Sequence, residues 1–282
     1  MVNRFAIKIA YLGQNYYGFQ RQREGIPTIE GTIINKLQEI GIIDTVEKAR
    51  YSAAGRTDRG VNAIGQVIAL DSLREKIYLE ELNQYFPKEI YAWAIARVAP
   101  DFNARRDARS RRYHYFYPYQ GENLETITTA LQKIEGTHDF VKLCKGPEKQ
   151  GENQWTPTTI RTIDQAKVSL TKNKKIIKFE FVSRSFLWKQ VRKMVTLLTD
   201  VGKGLFTPEI MDHALNPQSK RPKGGIKPAP PEGLVLSHVA YPKIIFSKIR
   251  KKFMIENRLM DELNSRRSMI SVLELMKEEI LD

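Results

Sequence analysis

The sequence predicts an α+β protein in which two modules of similar design, residues 1–100 and 101–242, each combine strands and helices. Segments with an apolar residue at every second position alternate with segments whose apolar residues recur at helical spacing. The order of strand and helix seen before residue 100 begins again after residue 101. A chain of 282 residues is long enough for two such domains. Its 41% hydrophobic and 28% charged residues are typical of a folded globular protein and exclude wholesale disorder.

The first module opens with a strand over residues 5–11, where every second residue is large and apolar. A helix over residues 29–40 follows, with Thr28 placed to cap its first turn and Gly41 placed to end it. The remaining elements predicted in this module are strands over residues 66–70 and 91–98, with a short helix over residues 79–85 between them that ends before Pro87.

The second module is predicted to start with an aromatic-rich strand over residues 113–119. Alternating apolar residues over 177–182 predict a strand that pairs antiparallel with a neighbouring strand over 163–170. Apolar residues recur at helical spacing over 187–198, and Gly202 ends that helix. The remaining predicted elements are a helix over 124–134 closed by Gly136, a short helix from Thr207 to about Leu215, and a strand over 234–241.

Two segments near the C-terminus carry weaker signals. Residues 216–232 are rich in Pro, Gly, Lys and Arg, which predicts an exposed, mobile loop. Beyond Pro242 the chain is rich in Lys, Arg, Glu and Met, with apolar residues at helical intervals. We therefore expect residues 243–282 to form a helical extension of one or two amphipathic helices.

The charge of the chain favours a polyanionic partner. The sequence has 46 Lys+Arg against 32 Asp+Glu, a formal net charge of +14 and a pI of about 9.7, which favours nucleic acid as a partner. No run approaches about 20 apolar residues and no apolar leader follows Met1, so we expect a soluble, cytoplasmic protein. The single cysteine, Cys144, and four histidines without metal-ligand spacing predict neither a disulfide nor a metal site.

The first candidate for chemistry is the segment 52–63, which places Arg56 and Asp58 in a polar loop between two predicted strands. Glycines on both sides let the backbone turn tightly and present these side chains outward. One interpretation is a plain turn in which Asp58 bonds its own backbone. The other is a functional carboxylate, which neighbouring arginines keep ionised so that it acts as a nucleophile or a base. The position at the mouth of a sheet favours the second interpretation.

The second candidate is the segment 102–117, in which five arginines precede an aromatic run. Arginine forks bind phosphate oxygens and aromatic faces stack on unpaired bases, so this composition suits RNA or single strands. The alternative is a solvated basic connection into an ordinary strand, where Tyr113, Tyr115 and Tyr117 share one face and some of the aromatic residues belong to the core. The candidates for contacts to a nucleic-acid backbone are Arg105, Arg106, Arg109 and Arg111.

The third candidate is the segment 185–195, at the start of the long helix of the second module. Arg192 lies beside the apolar stripe and one turn beyond Trp188, so it can reach from the helix into a cleft. Most arginines in such a position extend to solvent instead. Local sequence leaves both interpretations open.

Five segments in this order resemble the signature motifs of the tRNA pseudouridine synthase A family. The segments are residues 16–22 (YYGFQRQ), 55–61 (GRTDRGV), 102–115, 186–192 (FLWKQVR) and 232–236 (EGLVL), the last followed by Tyr241 and Pro242. The resemblance covers residues 4–242. The sequence departs from the bacterial pattern at Asn62, where bacterial members usually have His. The residues at 59, 143–145 and 188–190 are more similar to archaeal or eukaryotic relatives.

The resemblance implies two ferredoxin-like halves that share one antiparallel sheet, with helices on one face and a central basic cleft, in a homodimer that binds tRNA. Carried over by position, it implies that Asp58 is the catalytic aspartate, that Tyr113 packs on the target uracil, and that Arg192 is the ion-pair partner of Asp58. Arg56 would help to extrude the target nucleotide, and Leu234 would pack beside it.

The implied activity is isomerisation of uridine to pseudouridine in tRNA, at positions 38 to 40 of the anticodon stem-loop. The reaction breaks a C–N bond and forms a C–C bond to the same ribose without a redox change or a group donor, so no cofactor is expected. The target base must leave its stack, at a cost of about a few kcal/mol. Two alternatives stay open, namely the same chemistry at another tRNA position and a tRNA-binding or chaperone module without chemistry.

Overall fold

The computed structural model describes residues 3–146, 158–220 and 224–281. In those ranges ten strands form one sheet, accompanied by six α-helices and a short 3₁₀ helix over Pro231–Gly233. The strands are β1 (Asn3–Tyr11), β2 (Ser52–Ala53), β3 (Asn62–Ser72), β4 (Ile90–Arg97), β5 (Ser110–Pro118), β6 (Gly136–Asp139), β7 (Ile160–Leu170), β8 (Ile176–Ser183), β9 (Leu234–Ala240) and β10 (Ser247–Lys248). The helices are α1 (Ile29–Glu39), α2 (Leu79–Tyr85), α3 (Leu124–Gln132), α4 (Gln190–Gly202), α5 (Ile210–Leu215) and α6 (Phe253–Leu281).

The two halves of the sheet repeat one topology. The first half runs β1-α1-β2-β3-α2-β4 along the chain, and its strands lie in the order β4-β1-β3-β2. The main elements of the second half run β5-α3-β7-β8-α4-β9, with the strands in the order β9-β5-β8-β7 and β6 added beside β7. Both halves therefore have the βαββαβ arrangement of a ferredoxin-like unit, which confirms the predicted α+β class.

The halves meet where β9 lies between β3 and β5. The sheet is mostly antiparallel, as predicted, and the pairing of β3 with β9 is parallel, with Asn62 opposite Val235 and Ala63 opposite Leu236. Gly65 permits the close approach, since a Cβ at that position would lie 2.5 Å from the Cα of His238. A strand of the second half thus completes the sheet of the first half, and both halves contribute to one hydrophobic core.

Local sequence accounts for elements whose pattern predicted them. The Oγ1 of Thr28 accepts the N–H of Gly31 at 3.2 Å and caps α1, and Gly41, with φ of +65°, follows the end of that helix. In β8 the burial alternates along the strand, and Phe179 and Phe181 are fully buried on one face. The alternating and helical patterns therefore identify the correct buried faces.

Other boundaries differ from the prediction. The helix predicted from residue 187 begins at Gln190, because Lys189 adopts the left-handed conformation with φ of +63° and the Gln190 side chain accepts the N–H of Leu187 at 2.8 Å. The helix predicted from Thr207 begins at Ile210. Strands β2, β6 and β10 are two to four residues long, too short to show a period of two.

The chain beyond residue 242 is not purely helical. Strand β10 pairs with β4, and Ile249 is buried with its N–H bonded to the carbonyl of Trp93 at 2.9 Å. A single helix, α6, follows, and its apolar residues lie on all sides rather than on one face, which corrects the expectation of amphipathic helices. The division of the chain at residues 100 and 242 stays a prediction.

The segment 216–232 is also less exposed than predicted. Residues 221–223 lie outside the described ranges, but Ala229 is buried and a 3₁₀ helix begins at Pro231. The end of the segment packs on the protein because the N–H of Ala229 donates to the backbone carbonyl of Arg192 in α4 at 3.0 Å. Among the helices of the described ranges, none combines the length and apolar character needed to cross a bilayer.

Candidate active site

A cleft of about 1770 Å³ is lined by residues of both halves. The segments 52–63, 102–117 and 185–195 all contribute side chains to it, together with the 16–22 motif and residues 231–234. Nine of the lining residues are Lys or Arg and three are Asp or Glu. The cleft is therefore electropositive and suited to a polyanion.

Asp58 and Arg192 form an ion pair in this cleft. The Nη1 of Arg192 donates to the Oδ2 of Asp58 at 3.0 Å, and the side chains are 11% and 21% exposed, respectively. Within the described ranges the other carboxylate oxygen, Oδ1, has no hydrogen-bond partner. The pair therefore fixes one oxygen and leaves the second free for a ligand in the cleft.

Arg192 is held in place by the segment that precedes β9. Its Nε donates to the carbonyl of Ala229 at 2.6 Å, and its own backbone carbonyl accepts the N–H of Ala229 at 3.0 Å. Arg192 lies in the first turn of α4, so the helix fixes its backbone and Ala229 fixes its side chain. This arrangement directs the guanidinium toward Asp58 rather than toward solvent.

Asp58 begins a tight turn in the Asp58 loop, defined as residues 55–61. The N–H of Val61 donates to the carbonyl of Asp58 at 3.1 Å, and Gly60 in the turn has φ of +80°. A Cβ at Gly60 would lie 2.9 Å from Pro231. The turn is closed by backbone groups alone, so the carboxylate of Asp58 is not needed to stabilise it.

The Asp58 loop is supported from β1 and from the 16–22 motif. The Oγ1 of Thr57 and the hydroxyl of Tyr11 are 2.8 Å apart, and the N–H of Phe19 donates to the carbonyl of Thr57 at 3.0 Å. Burial raises the pKa of the Tyr11 hydroxyl above its ordinary value, so it remains protonated. Gly18, with φ of +99°, lets the motif approach, since a Cβ there would lie 3.1 Å from the Thr57 carbonyl oxygen.

The predicted aromatic and apolar residues lie in the same cleft. Tyr113 is buried and packs edge to face on Phe186, with ring centroids 5.2 Å apart and an interplanar angle of 88°. Burial raises the pKa of Tyr113 to about 12, with Arg111 opposing the rise and Asp58 adding to it, so the phenol is neutral. Leu234 begins β9, is buried and also lines the cleft.

The two arginines of the Asp58 loop have different surroundings. Arg56 is exposed, lines the cleft, and makes no hydrogen bond or ion pair within the part of the chain that the structure describes. The guanidinium of Arg59 lies 4.1 Å from the ring centroid of Tyr17, which is itself half exposed. Arg56 is thus the arginine free to contact a ligand, and Arg59 is stacked at the rim.

The arginines predicted to contact a nucleic-acid backbone do not behave alike. Arg105 and Arg106 are exposed and line the cleft, and Arg109 is exposed but lies outside its lining. Arg106 also donates to the carboxylate of Asp107 at 3.3 Å, a contact that a phosphate can replace. Three of the four arginines are therefore accessible to an anion.

Arg111 is the exception and corrects the prediction. It is buried, and its guanidinium makes five hydrogen bonds to backbone carbonyls, including those of Ala54, Arg105 and Arg184. With its donors directed at these carbonyls, Arg111 does not present its guanidinium to a phosphate. It joins the start of the Asp58 loop to two other segments that line the cleft.

Two further polar residues hold the Asp58 loop, of which the sequence marked Asn62 only as a departure from the bacterial pattern and did not mark Gln66. Asn62 accepts the N–H of Gly13 at 3.0 Å through Oδ1 and donates to the carbonyl of Glu232 at 2.9 Å through Nδ2. Gln66 is fully buried and donates to the carbonyl of Gly55 at 2.8 Å. The signal available for Gln66 was a lone polar residue inside an apolar strand, since a buried amide requires partners.

Comparison with known proteins identifies relatives of this chain. A family model described as tRNA pseudouridine synthase matches residues 130–242. Proteins named tRNA pseudouridine synthase A are 37% identical in Methanosarcina acetivorans, over 84% of this chain and 84% of the relative, and 37% identical in Archaeoglobus fulgidus, over 86% and 85%. A solved Cbf5-Nop10-Gar1 complex overlaps 71% of this chain and 54% of that chain, at 10% identity and a TM-score of 0.33, a likeness too low to carry a conclusion.

Proposed function

This chain belongs to the tRNA pseudouridine synthase family, whose members are isomerases, and we propose that it isomerises uridine at positions 38 to 40 of the tRNA anticodon stem-loop, with Asp58 as the catalytic residue. The observation that carries the proposal is the Asp58 carboxylate, which has one oxygen bonded to Arg192 and the other free in an electropositive cleft. The same chemistry at another tRNA position is the alternative that remains.

The chemistry requires a group that acts at the ribose carbon. The bond between C1′ and N1 of uridine breaks, the uracil turns, and a bond forms between C1′ and C5, while the hydrogen at C5 leaves and N1 gains a proton. Asp58 either attacks C1′ and is displaced when C5 returns, or assists the departure of the base. Both routes need a carboxylate oxygen that is not already bonded, which is the state of Oδ1.

Arg192 acts in this proposal through Asp58. Its guanidinium binds one carboxylate oxygen, Oδ2, and balances the negative charge. Since Ala229 fixes the guanidinium independently, the direction of the carboxylate does not depend on bound RNA. We therefore propose that Arg192 contributes to the chemical step more than to the affinity for tRNA.

The target uridine reaches Asp58 by leaving its stack. Extrusion costs about a few kcal/mol, which contacts inside the cleft must offset. Arg56 is exposed beside Asp58 and would contact the displaced nucleotide or its phosphates. Tyr113 and Leu234 are the aromatic and apolar surfaces against which the uracil would pack.

The RNA backbone would be held by exposed arginines of the second half. Arg105 and Arg106 line the cleft, and Arg109 lies near it in the chain. Contacts of this kind release counterions, so the affinity for tRNA should fall steeply with salt. Arg111 is excluded from this set because its guanidinium is bonded to backbone carbonyls.

We extend the proposal to a cytoplasmic homodimer that needs no cofactor. The family resemblance implies the homodimer, the sequence pattern favours a cytoplasmic protein, and the reaction involves no redox change or group donor. The chain would divide into ferredoxin-like halves at residues 1–100 and 101–242, followed by the extension 243–282. Sedimentation equilibrium of the purified protein tests the dimer. Complete conversion of tRNA by protein treated with a chelator tests the reaction without metal.

The Asp58→Asn variant tests the central assignment. With an unmodified tRNA transcript labelled with tritium at C5 of uridine, we expect the wild-type protein to release tritium and Asp58→Asn to reduce the rate by at least about 1,000-fold. Affinity for the transcript should change little, because the amide keeps the size of the carboxylate. Asp261→Asn on the exposed face of α6 is the matched control and should keep the wild-type rate.

Two outcomes would contradict the proposal. Wild-type turnover by Asp58→Asn would exclude Asp58 as the catalytic residue. Mapping pseudouridine in tRNA from cells that lack the protein identifies the modified positions. Loss of modification only outside positions 38 to 40 would favour the alternative position while leaving the role of Asp58 intact.

A further inference from the structure

An exposed tryptophan with two lysines forms a cluster at the edge of the cleft that the proposed reaction does not use. Trp188 is 48% exposed and lines the cleft together with Lys189. The Nζ of Lys145 lies 4.1 Å from the indole centroid, and the Nζ of Lys189 lies 5.5 Å from it. Lys145 is not part of the cleft lining, so the nearer lysine covers the indole from outside the cleft.

The backbone around this cluster is firmly positioned. The N–H of Lys145 donates to the carbonyl of Trp188 at 2.8 Å, and the Nζ of Lys193 donates to the carbonyl of Cys144 at 2.9 Å. These bonds join the segment around Cys144 to the start of α4. The backbone that carries the indole is therefore bonded to a neighbouring segment.

Lys189 adopts a backbone conformation that favours glycine. Its φ of +63° and ψ of +5° are left-handed, and its side chain makes no capping bond to α4. A non-glycine residue in this region is strained, and such strain concentrates at functional sites. The Nζ of Lys189 is also farther from the indole than that of Lys145, so its packing on Trp188 is the weaker of the two lysine contacts.

We propose that Trp188, Lys189 and Lys145 form a second nucleotide-binding site, which stacks an unpaired base on the indole and binds its phosphates through the lysines. Aromatic faces in basic grooves bind unpaired bases in this way without reading their edges. The inference rests on the proposed function in taking RNA as the ligand. The nucleotide bound here is a neighbour of the uridine that enters the Asp58 site, because both sites share one cleft.

This second site selects RNA by its secondary structure rather than by its nucleotide sequence. An indole stacks on a base only where the base has an exposed face, as in a loop or at the end of a stem. The cleft would therefore select a uridine next to an unpaired nucleotide and bind a continuous duplex less well. Any of the four bases would satisfy the stack.

Binding of a short single strand tests the site directly. The probe is decauridylate with a fluorescein label at one end, titrated with the full-length protein while the anisotropy of the label is recorded. Indole fluorescence is followed in a parallel titration with unlabelled decauridylate. We expect Trp188→Ala to bind about tenfold more weakly than the wild type, the effect of about one base–aromatic stack. Trp188→Phe should keep most of the affinity but lose the fluorescence change. Phe206→Ala, an equally exposed aromatic residue outside the cleft lining, is the control and should bind as the wild type.

A pair of glycine variants separates binding from folding. Lys174 is also left-handed, with φ of +55°, but lies in the exposed turn between β7 and β8. Lys189→Gly and Lys174→Gly each remove one charge and relieve one strained backbone, so both should keep or raise the melting temperature. Only Lys189→Gly should weaken decauridylate binding and lower its salt dependence by about one charge.

The result that overturns the second site is decauridylate binding by Trp188→Ala at wild-type affinity, or equal weakening by Lys189→Gly and Lys174→Gly. Steady-state kinetics with the tRNA transcript separates this failure from a failure of the proposed function. If the wild type converts uridine, Trp188→Ala should raise KM about tenfold with kcat within about twofold, and an unchanged KM refutes the site alone. If the wild type forms no pseudouridine, the proposed function fails while decauridylate binding still decides the second site.

Discussion

The Asp58–Arg192 and Asp71–Arg4 pairs join the same two residue types, but only in the Asp71 pair do both carboxylate oxygens accept hydrogen bonds. We call the Asp71 pair complete and the Asp58 pair open. Asp71 accepts from Arg4 at 2.6 Å through one oxygen and from Arg50 through the other. Arg4 is buried and gives its other donors to backbone carbonyls. The carboxylate of Asp58 instead accepts a single hydrogen bond within the described ranges and keeps one oxygen unbonded.

The difference shows how a structural ion pair is distinguished from a functional one. Arg4 lies on β1 and Asp71 on β3, so their pair reinforces two neighbouring strands, with every carboxylate oxygen used. The Asp58–Arg192 pair connects a loop to a helix and leaves bonding capacity directed into the cleft. The presence of an Arg–Asp pair is thus less informative than the acceptor atoms that it leaves free.

The largest effect beyond the loss of Asp58 itself is expected from Arg192→Lys. An ammonium is a single point charge and cannot reach Ala229 and Asp58 in the two directions that the guanidinium spans. We expect kcat to fall about 100-fold and KM to change less than about threefold, measured by steady-state kinetics on the tRNA transcript. A rise in KM with unchanged kcat would show that Arg192 binds substrate and does not position Asp58.

The next largest effect is a difference in the free energy of unfolding when the aspartate of each pair is replaced. Asp71→Asn removes an acceptor shared by two arginines, one of them buried, and should lower the free energy of unfolding by about 3 kcal/mol. Asp58→Asn should lower it by less than about 1 kcal/mol, because its carboxylate has one bond and stands at the cleft. Urea denaturation measures both. Equal losses of unfolding free energy in the two variants would contradict the distinction between the complete and the open pair.

The smallest effect is a dependence on acid pH. Burial alone would raise the pKa of Asp71, but the hydrogen bonds from Arg50 and Arg4 outweigh it and hold the pKa below its ordinary value. A carboxyl whose pKa is lower in the folded state stabilises the fold above the pKa of the unfolded chain, about 3.9, and loses that contribution as the pH falls through the folded value. The difference in unfolding free energy between the wild type and Asp71→Asn should therefore shrink below about pH 4, and a constant difference from pH 6 to pH 3 would contradict this.

The sequence predicted the strands and helices in which the spacing of apolar residues is visible within one continuous segment. Alternation in β1 and β8 and the helical stripe of α4 depend on neighbouring residues, so they could be recognised locally. The parallel contact between β3 and β9 could not, because it joins residues more than 170 positions apart through the absence of a side chain at Gly65. The left-handed Lys189 could not be predicted either, since glycine is the residue that signals that conformation.

Some contacts of the candidate site could be predicted from the sequence and others could not. The order of the five motifs suggested that Asp58 and Arg192 meet, and the two residues do form an ion pair, although their roles in catalysis stay a prediction. Composition alone could not rank the arginines of the 102–117 segment. The strand alternation offered the missing signal, because Arg111 shares a face with the buried Tyr113 and Tyr115. A charged residue in register with core residues is expected to turn inward and to bond there.

The insertion of β9 between β3 and β5 has a consequence for the RNA. Strand β9 pairs with β3 on one side and with β5 on the other, so within the described residues the two walls of the cleft are parts of one sheet. In the proposed reaction the nucleic acid supplies the change of shape. Uridines in weakly paired or strained surroundings would then react faster than identical uridines in stably paired stems. The deformability of the tRNA would therefore select the target as much as its nucleotide sequence does.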